Sequence, residues 1–268
     1  MKLKDARIIL TGASGGIGQA LARELAGRGA RLGLVGRRQD ALQALAEELR
    51  QAGAEAEPII ADLSNDQDRM SAIMCMRDLY GGVDVLINNA GMSAFTEFAQ
   101  CGPEVEERLF NTNVLAPMQL CRLVLPEMTA RGSGRIVNIG STFGSIAFAC
   151  FVSYSTSKFA VRGFSEALRR ELDGSGVGIT YVAPRAVRTE LNTPAVMRMA
   201  ERVKMNMDDP VYVAKSIVRA IEKDRKDVYL GFPEALFVRL NALFPRLVDG
   251  ALRKQNLIMR EFTQGTES

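Results

Sequence analysis

Ile8-Ile9-Leu10-Thr11-Gly12-Ala13-Ser14-Gly15-Gly16-Ile17-Gly18 is the stretch from which the rest of this 268-residue chain can be read. A short apolar run that stops in glycines reads as a parallel strand buried on both faces. The spacing then changes: Ile17, Leu21 and Leu25 recur one helical turn apart, so a helix is expected over 16–28. Glycines at 12, 16 and 18 allow a tight turn, close approach of a pyrophosphate to backbone, and close strand–helix packing. The helix N-terminus adds orphan N–H groups and the positive end of its dipole. Glycines alone would serve folding equally well. The strand before them and the helix after them point to a dinucleotide.

The same alternation continues outward. Strands are expected at 32–35, up to Asp62, at 83–87, 135–140, 177–183 and 228–230. Helices are expected at 39–52, 66–80, near 103–130, 153–173 and 210–224. Strands alternating with helices predict the α/β class: a single, doubly wound parallel sheet flanked by helices. No internal repeat, low-complexity tract or linker interrupts it. One domain is expected, with 1–230 the dinucleotide-binding catalytic part and 231–268 a C-terminal amphipathic helical extension.

Composition narrows the chemistry. At 47% hydrophobic and 24% charged residues the chain can bury a sizeable core. A net charge of +3 with no long basic run argues against a nucleic-acid partner. Cys75, Cys101, Cys121 and Cys150 are far apart and form no Cys-x-x-Cys, as expected of reduced thiols in a cytoplasmic protein. The first strand begins almost at once, leaving no room for a signal peptide, and the apolar run 143–152 is too short to span a bilayer. Histidine is absent, which removes Ser-His-Asp catalysis and the common histidine zinc sites, and no metal is expected. Acid–base work falls to carboxylates, tyrosine, lysine or cysteine.

Four further signals follow the glycine turn in order. They are Asn88-Asn89-Ala90-Gly91 after an apolar strand, Asn113 in a helix, Ser141 at a strand end, and Tyr154-Ser-Thr-Ser-Lys158. A lone Tyr-x-x-x-Lys is a weak signal, and the series is a specific one. Tyrosine, with a pKa near 10, is a poor acid–base group at neutral pH. Lys158, one turn along the same face, can favour the tyrosinate by its charge. Ser141 can hydrogen-bond a substrate carbonyl oxygen, and Asn113 can hold a water linking Lys158 to solvent. At the end of the second strand stand Arg37 and Arg38, where an acidic residue would repel a 2′-phosphate. Guanidinium suits that phosphate, so NADP(H) is expected with Arg37 the better placed; two arginines on a solvated loop is the plainer reading. Asp62 is either an acceptor for the adenine amino group or an N-cap, a role Ser64 and Asn65 can also fill.

With these residues in place, the chain over about 5–230 resembles the short-chain dehydrogenase/reductase family. The resemblance rests on Thr11-Gly12-x-x-x-Gly16-x-Gly18, Asp62-Leu63, Asn88–Gly91, Asn113, Ser141, Tyr154-x-x-x-Lys158 and the segment from Pro184 to Thr189. It implies a Rossmann-like sheet, a homodimer or homotetramer, and a catalytic tetrad of Asn113, Ser141, Tyr154 and Lys158. Tyr154 would then give and take the proton. The implied cofactor site comprises Thr11, Gly12, Ser14, Gly16, Ile17, Gly18, Arg37, Arg38, Asp62, Leu63, Asn89, Ala90 and Gly91. Tyr154, Lys158, Pro184, Val187 and Thr189 complete it. One departure stands out: where the family has Pro-Gly, this chain has Pro184-Arg185. Arg185 is expected to point to solvent, the alternative being a contact to an anionic substrate group.

The expected activity is an NADP(H)-dependent interconversion of a carbonyl and a secondary alcohol on an apolar small molecule, of ketone or 3-oxoacyl type. The alternative is a catalytically silent NADP(H)-binding redox sensor, which loss of the tyrosine or lysine would favour. Phe143, Ile146, Phe148 and Phe151 either line the cleft or pack in the core. The extension carries Leu236, Phe237, Leu240, Leu243, Phe244, Leu247 and Val248 at helical spacing among Arg239, Arg246, Arg253 and Lys254. Pro245 is expected to kink or divide it. A subunit contact or intramolecular packing is the first reading, a lid over the cleft the second, and an interfacial helix on a membrane surface the third.

Overall fold

The computed structural model describes residues 1–263. A seven-stranded parallel sheet is built from β1 (Arg7–Thr11), β2 (Arg31–Gly36), β3 (Ala56–Ile60), β4 (Val85–Asn88), β5 (Gly134–Ile139), β6 (Val177–Ala183) and β9 (Asp227–Tyr229). Two residues each of β7 (Ala186–Val187) and β8 (Met207–Asp208) pair separately. The strand order is β3-β2-β1-β4-β5-β6-β9, so chain order reverses between β1 and β4. That is where a doubly wound sheet leaves a crevice beyond its carboxyl ends.

Helices cover both faces: α1 (Gly16–Ala26), α2 (Gln39–Gln51), α3 (Asp66–Tyr80), α4 (Pro103–Phe110), α5 (Ala116–Arg131), α6 (Val152–Glu171), α7 (Pro194–Arg202) and α8 (Pro210–Glu222). Alternate residues of β1 feed opposite cores. Ile8 and Leu10 pack with Leu21, Leu25, Leu42, Ile217 and Ile221 of α1, α2 and α8. Ile9 joins Ile73, Met76, Leu120 and Val124 of α3 and α5. Each such side chain, fully buried, contributes about 1.5–3 kcal/mol. Local chemistry sets the helix ends. Asn65 caps α3 by accepting from the N–H groups of Gln67 and Asp68, and Gly81, at φ +78°, ends it.

Each expected strand and helix forms within a few residues of its expected place. The third strand stops at Ile60 rather than Asp62, because Asp62 turns the chain: its Oδ1 accepts from Ser64 N (3.0 Å) and Ser64 Oγ (2.8 Å). The helical stretch 103–130 is broken by a π-helical turn, Asn111–Leu115, which carries Asn113. The short β7–α7–β8 excursion has no counterpart in the sequence reading. After β9 the chain forms α9 (Glu234–Leu243) and α10 (Pro245–Glu261), divided at Pro245, which takes the first turn of α10. Residues 264–268 of the expected extension lie outside the described residues.

A buried polar relay ties α6 to the sheet. Asn88 Nδ2 of β4 donates to Asn138 Oδ1 of β5 (2.8 Å), Asn138 Nδ2 donates to Ser165 Oγ of α6 (2.8 Å), and Ser165 Oγ donates to Val161 O (2.7 Å). Such a relay specifies one register for the helix, at the cost of any member left unpaired. Asn138→Leu is expected to lower the free energy of unfolding by about 1–3 kcal/mol, because the amide of Asn88 loses its main acceptor in a buried place. Urea unfolding checks this; an unchanged midpoint would show the relay to be energetically neutral.

Candidate active site

The crevice between β1 and β4 is closed at its base by one side chain. Thr11, only 1% exposed, accepts at Oγ1 from Asn89 N (2.9 Å) and Ala90 N (3.0 Å) and donates to Ile87 O (3.2 Å). Asn89 returns the contact, its Nδ2 donating to Thr11 O (3.0 Å) and Gly12 O (3.2 Å). Three glycines are then required by space. A Cβ on Gly12, whose φ is +64°, would lie 2.8 Å from Ala90 Cα. One on Gly16 would meet Thr189 Cγ2 at 2.7 Å, and one on Gly18 would meet Gly12 O at 2.1 Å. Helix α1 starts at Gly15 with no side-chain cap, so its first N–H groups face the groove. An uncapped helix start, walled by backbone that tolerates no Cβ, fits the pyrophosphate of a dinucleotide.

The structure brings most of the expected cofactor set to this groove. Gly12, Ser14, Gly16, Ile17 and Gly18 form its floor, and Arg37, Arg38, Asp62 and Leu63 one end. Asn89, Ala90, Gly91 and Thr189 lead to the other. Thr11 lies behind the wall as a brace. Asp62 is exposed and its carboxyl is held below the usual range by the Ser64 donors and, more weakly, by the Arg37 charge, so it stays an acceptor. The N-cap of α3 is Asn65, not Asp62. The arginines differ. Arg38 donates to Ser14 O and pairs with Glu190 (2.9 Å), whereas exposed Arg37 has no hydrogen bond or ion pair among the described residues.

A second pocket adjoins the groove through Ile17, Asn89, Gly91 and Thr189. Ser141 at the end of β5 and Tyr154 and Lys158 on α6 line it, with Pro184 and Val187 opposite. Lys158 is 6% exposed; its Nζ donates to Ile139 O (3.1 Å) and lies 5.8 Å from the Tyr154 ring centroid. Burial pulls its pKa down from 10.5 to about 8. Burial pushes the Tyr154 phenol up, with a hydrogen bond to Ser141 opposing. The expected lowering by Lys158 is therefore not what governs Tyr154 in this form, and desolvation wins. Ser141 Oγ also accepts from Phe143 N (3.1 Å).

Asn113 lies behind the pocket, 2% exposed, with its amide spoken for. Oδ1 accepts from Met92 N (2.9 Å), and Nδ2 donates to Met92 O (2.9 Å) and Ser157 Oγ (3.0 Å). It thus binds the chain after β4 to α6, whatever water it also touches. A Cβ on Gly91 would meet both Asn113 Oδ1 (3.3 Å) and Lys158 Nζ (3.7 Å).

Arg185 corrects the sequence reading. It does not point to solvent: Nε and Nη2 reach Asp208 Oδ1 (3.0 and 2.7 Å) and Nη1 reaches Glu234 Oε2 (2.9 Å). With those donors engaged by two carboxylates, an anionic substrate group would have to displace one of them. Of the four apolar candidates, Phe143 and Phe151 line the pocket, Ile146 is buried, and Phe148 stacks on Phe143 at 4.4 Å. The remaining apolar wall was missed: Leu191, Val196, Met199, Met205 and Met207, mostly on or beside α7. The signal was there in Thr193-Pro194, a cap and a first-turn proline ahead of Val196 and Met199.

Comparison with known proteins agrees with this geometry. The family described as short chain dehydrogenase matches residues 6–200. The ketoacyl reductase HetN of Nostoc sp. is 37% identical over 221 residues, covering 82% of this chain and 77% of that protein. A short chain dehydrogenase/reductase from Burkholderia phymatum in complex with NAD has a TM-score of 0.85 at 25% identity, over 92% of this chain and 96% of that one. A short-chain dehydrogenase from Sphingobium yanoikuyae in complex with NADPH gives 0.76 at 31% identity, over 92% and 93%. Strand order, glycine cradle and family match converge, and the chain belongs to the short-chain dehydrogenase/reductase family of oxidoreductases.

Proposed function

We propose that this protein interconverts a carbonyl and a secondary alcohol on an apolar small molecule with NADP(H), Tyr154 carrying the proton. The observation that supports it most is the meeting of Ser141, Tyr154 and Lys158 in a pocket whose apolar lining includes Phe143, Phe151, Val196, Met199 and Met205. A nicotinamide bound along the groove supplies or accepts hydride. The chain's own part is positional and protic. Ser141 holds the substrate oxygen against Tyr154, the phenol gives its proton to that oxygen, and Lys158 stands behind the ring. Apolar walls exclude water, which strengthens each of these contacts. Asn113 is a positioning residue in this reading, fixing Ser157 and hence α6. The relative named a ketoacyl reductase favours a 3-oxo substrate.

The choice of NADP(H) rests on Arg37, a free guanidinium where a 2′-phosphate would lie, and on the relative solved with NADPH. We also take 231–268 to be an extension of the same domain as 1–230, because its described part is tied there by the Arg185–Glu234 pair and by Met259 packing with Phe151 and Met199.

Tyr154→Phe should reduce turnover by about 10²–10⁴-fold, the usual span for removing a general acid, while NADPH binding holds. NADPH consumption and NADPH fluorescence titration check the two halves; near-normal turnover would remove Tyr154 from the chemistry.

Arg37→Ala should weaken NADPH by about ten- to a hundredfold and leave NADH nearly unchanged. Arg38→Ala, which loses the tie to Ser14, should weaken both dinucleotides. An unchanged preference in the Arg37 variant would mean the wrong arginine or the wrong cofactor, and a preference that moves in the Arg38 variant would single out the first.

Lys158 links function to stability. Its folded pKa of about 8 lies below the ordinary 10.5, so the unfolded chain binds a proton that the folded protein does not between those values. Stability therefore rises with pH through that window, and the cost of burying the charge is full below about 8. Without cofactor, Lys158→Met should resist denaturant better than wild type near neutral pH, and the gap should close as pH rises towards 10.5. A gap independent of pH would mean that the buried charge is not its source.

A further inference from the structure

The two C-terminal helices have one face that is accounted for and one that is not. The inner face is pinned. Glu234 at the start of α9 receives Arg185 and Asn206, and Asn241 Nδ2 donates to Ser145 O (2.8 Å). Val238 and Met259 are 5% and 0% exposed, and Met259 packs with Phe151 and Met199 of the pocket wall. These contacts hold the pair as fixed structure; a lid would have to break them to open.

The outer face is apolar and uncovered. Phe232 is 78% exposed, Leu243 70% and Leu247 72%, and Leu236, Phe237, Leu240 and Phe244 are exposed beside them. On α9 the spacing of Leu236, Leu240 and Leu243 sets this ridge opposite buried Val238. Single exposed apolar side chains need no account, but a contiguous ridge does. Cations accompany it. Arg239, Arg246, Arg253 and Lys254 are exposed along α9 and α10, and none has an ion pair among the described residues. Beside Phe232 and Leu236 a groove is lined by Arg219, Lys223, Arg225 and Arg239, the first three also without an ion pair among the described residues, and by Asp227, whose charge is taken by Arg169. Asp249 and Glu261 are the only carboxylates of α10.

We propose that the outer face of α9 and α10 docks on the surface of an anionic lipid bilayer. Apolar side chains enter the acyl boundary while arginine and lysine stems carry their charges to the phosphates. The charge pattern selects this occupant over a second copy of the chain. A twofold contact places the same patch on both sides, so unpaired cations would meet cations with little carboxylate between them. The helices lie on the surface and do not cross it, since no described helix is long and apolar enough to span.

The test is co-sedimentation of the full chain with vesicles of phosphatidylcholine, with and without phosphatidylglycerol. Binding is expected only to the phosphatidylglycerol vesicles, and added salt should release it. Leu243→Asp with Leu247→Asp should weaken binding by at least about tenfold, as should glutamine at Arg239, Arg246, Arg253 and Lys254 together. Both variants should keep the circular dichroism and lipid-free particle size of the wild type. Absence of vesicle binding, or binding that survives both variants, overturns the proposal. A smaller particle for the aspartate variant in lipid-free solution also overturns it, in favour of a second copy of the chain.

Discussion

Everything at the site depends on how Thr11 holds the ends of β1 and β4. The sheet reverses its order between those strands, so the loops leaving them diverge and a slot opens. Without that hold the backbone N–H of Ala90 would lose its acceptor, and that of Asn89 would keep only Ile87 O at 3.1 Å. Thr11 Oγ1 accepts from both, and Asn89 answers with two bonds to the carbonyls of Thr11 and Gly12. The brace fixes how far apart the glycine turn and the Asn-Ala-Gly turn stand. That distance sets the width available to a dinucleotide. Gly12 then passes Ala90 too closely for any side chain, so width and glycine requirement are one constraint seen twice.

A second tension runs through α6. This helix carries Tyr154 and Lys158, and the relay through Asn138 and Ser165 and the bond from Asn113 to Ser157 set its position. Both ties are buried and polar, and neither is the cheapest way to fill a core. Asn88 Oδ1 is left without a partner, and Lys158 is held where its charge is disfavoured. A core of leucines would be more stable and less particular about where the helix sits. On the reading proposed for Tyr154 the polar groups have a use, because a proton donor misplaced by an ångström loses most of its effect.

How much of this was legible in the sequence divides along a physical line. Features whose cause is local could be read. The glycine turn, most strand ends and the break at Pro245 each follow from residues a few positions apart, and the cap of α3 is narrowed to Asp62, Ser64 or Asn65. Features whose cause is a contact between distant segments could not. Phe143 and Phe148 sit in the same short stretch, yet one lines the pocket and the other backs it, a difference set by α7 and α10. Arg185 looked free because its acceptors, Asp208 and Glu234, come much later in the chain. The π-helical turn at Asn113 leaves no periodic mark over five residues, although it is what aims that amide at Met92 and Ser157.

Arg185 and the C-terminal extension are joined through one ion-pair network. An arginine where the family has glycine needs room for its stem and a partner for its charge. Gly231, at φ +88°, gives the room: a Cβ there would lie 2.5 Å from Arg185 Cδ. Glu234, three residues on, gives the second carboxylate. Asp208 alone would leave the guanidinium half-paired, and Asp208 already has one buried oxygen without a donor. Gly231 leaves space for the Arg185 stem, and the extension beyond it starts by completing the ion pair. The arginine thus ties the wall of the pocket it lines to the extension, and the two helices it anchors present their apolar ridge outward because their inner face is already committed.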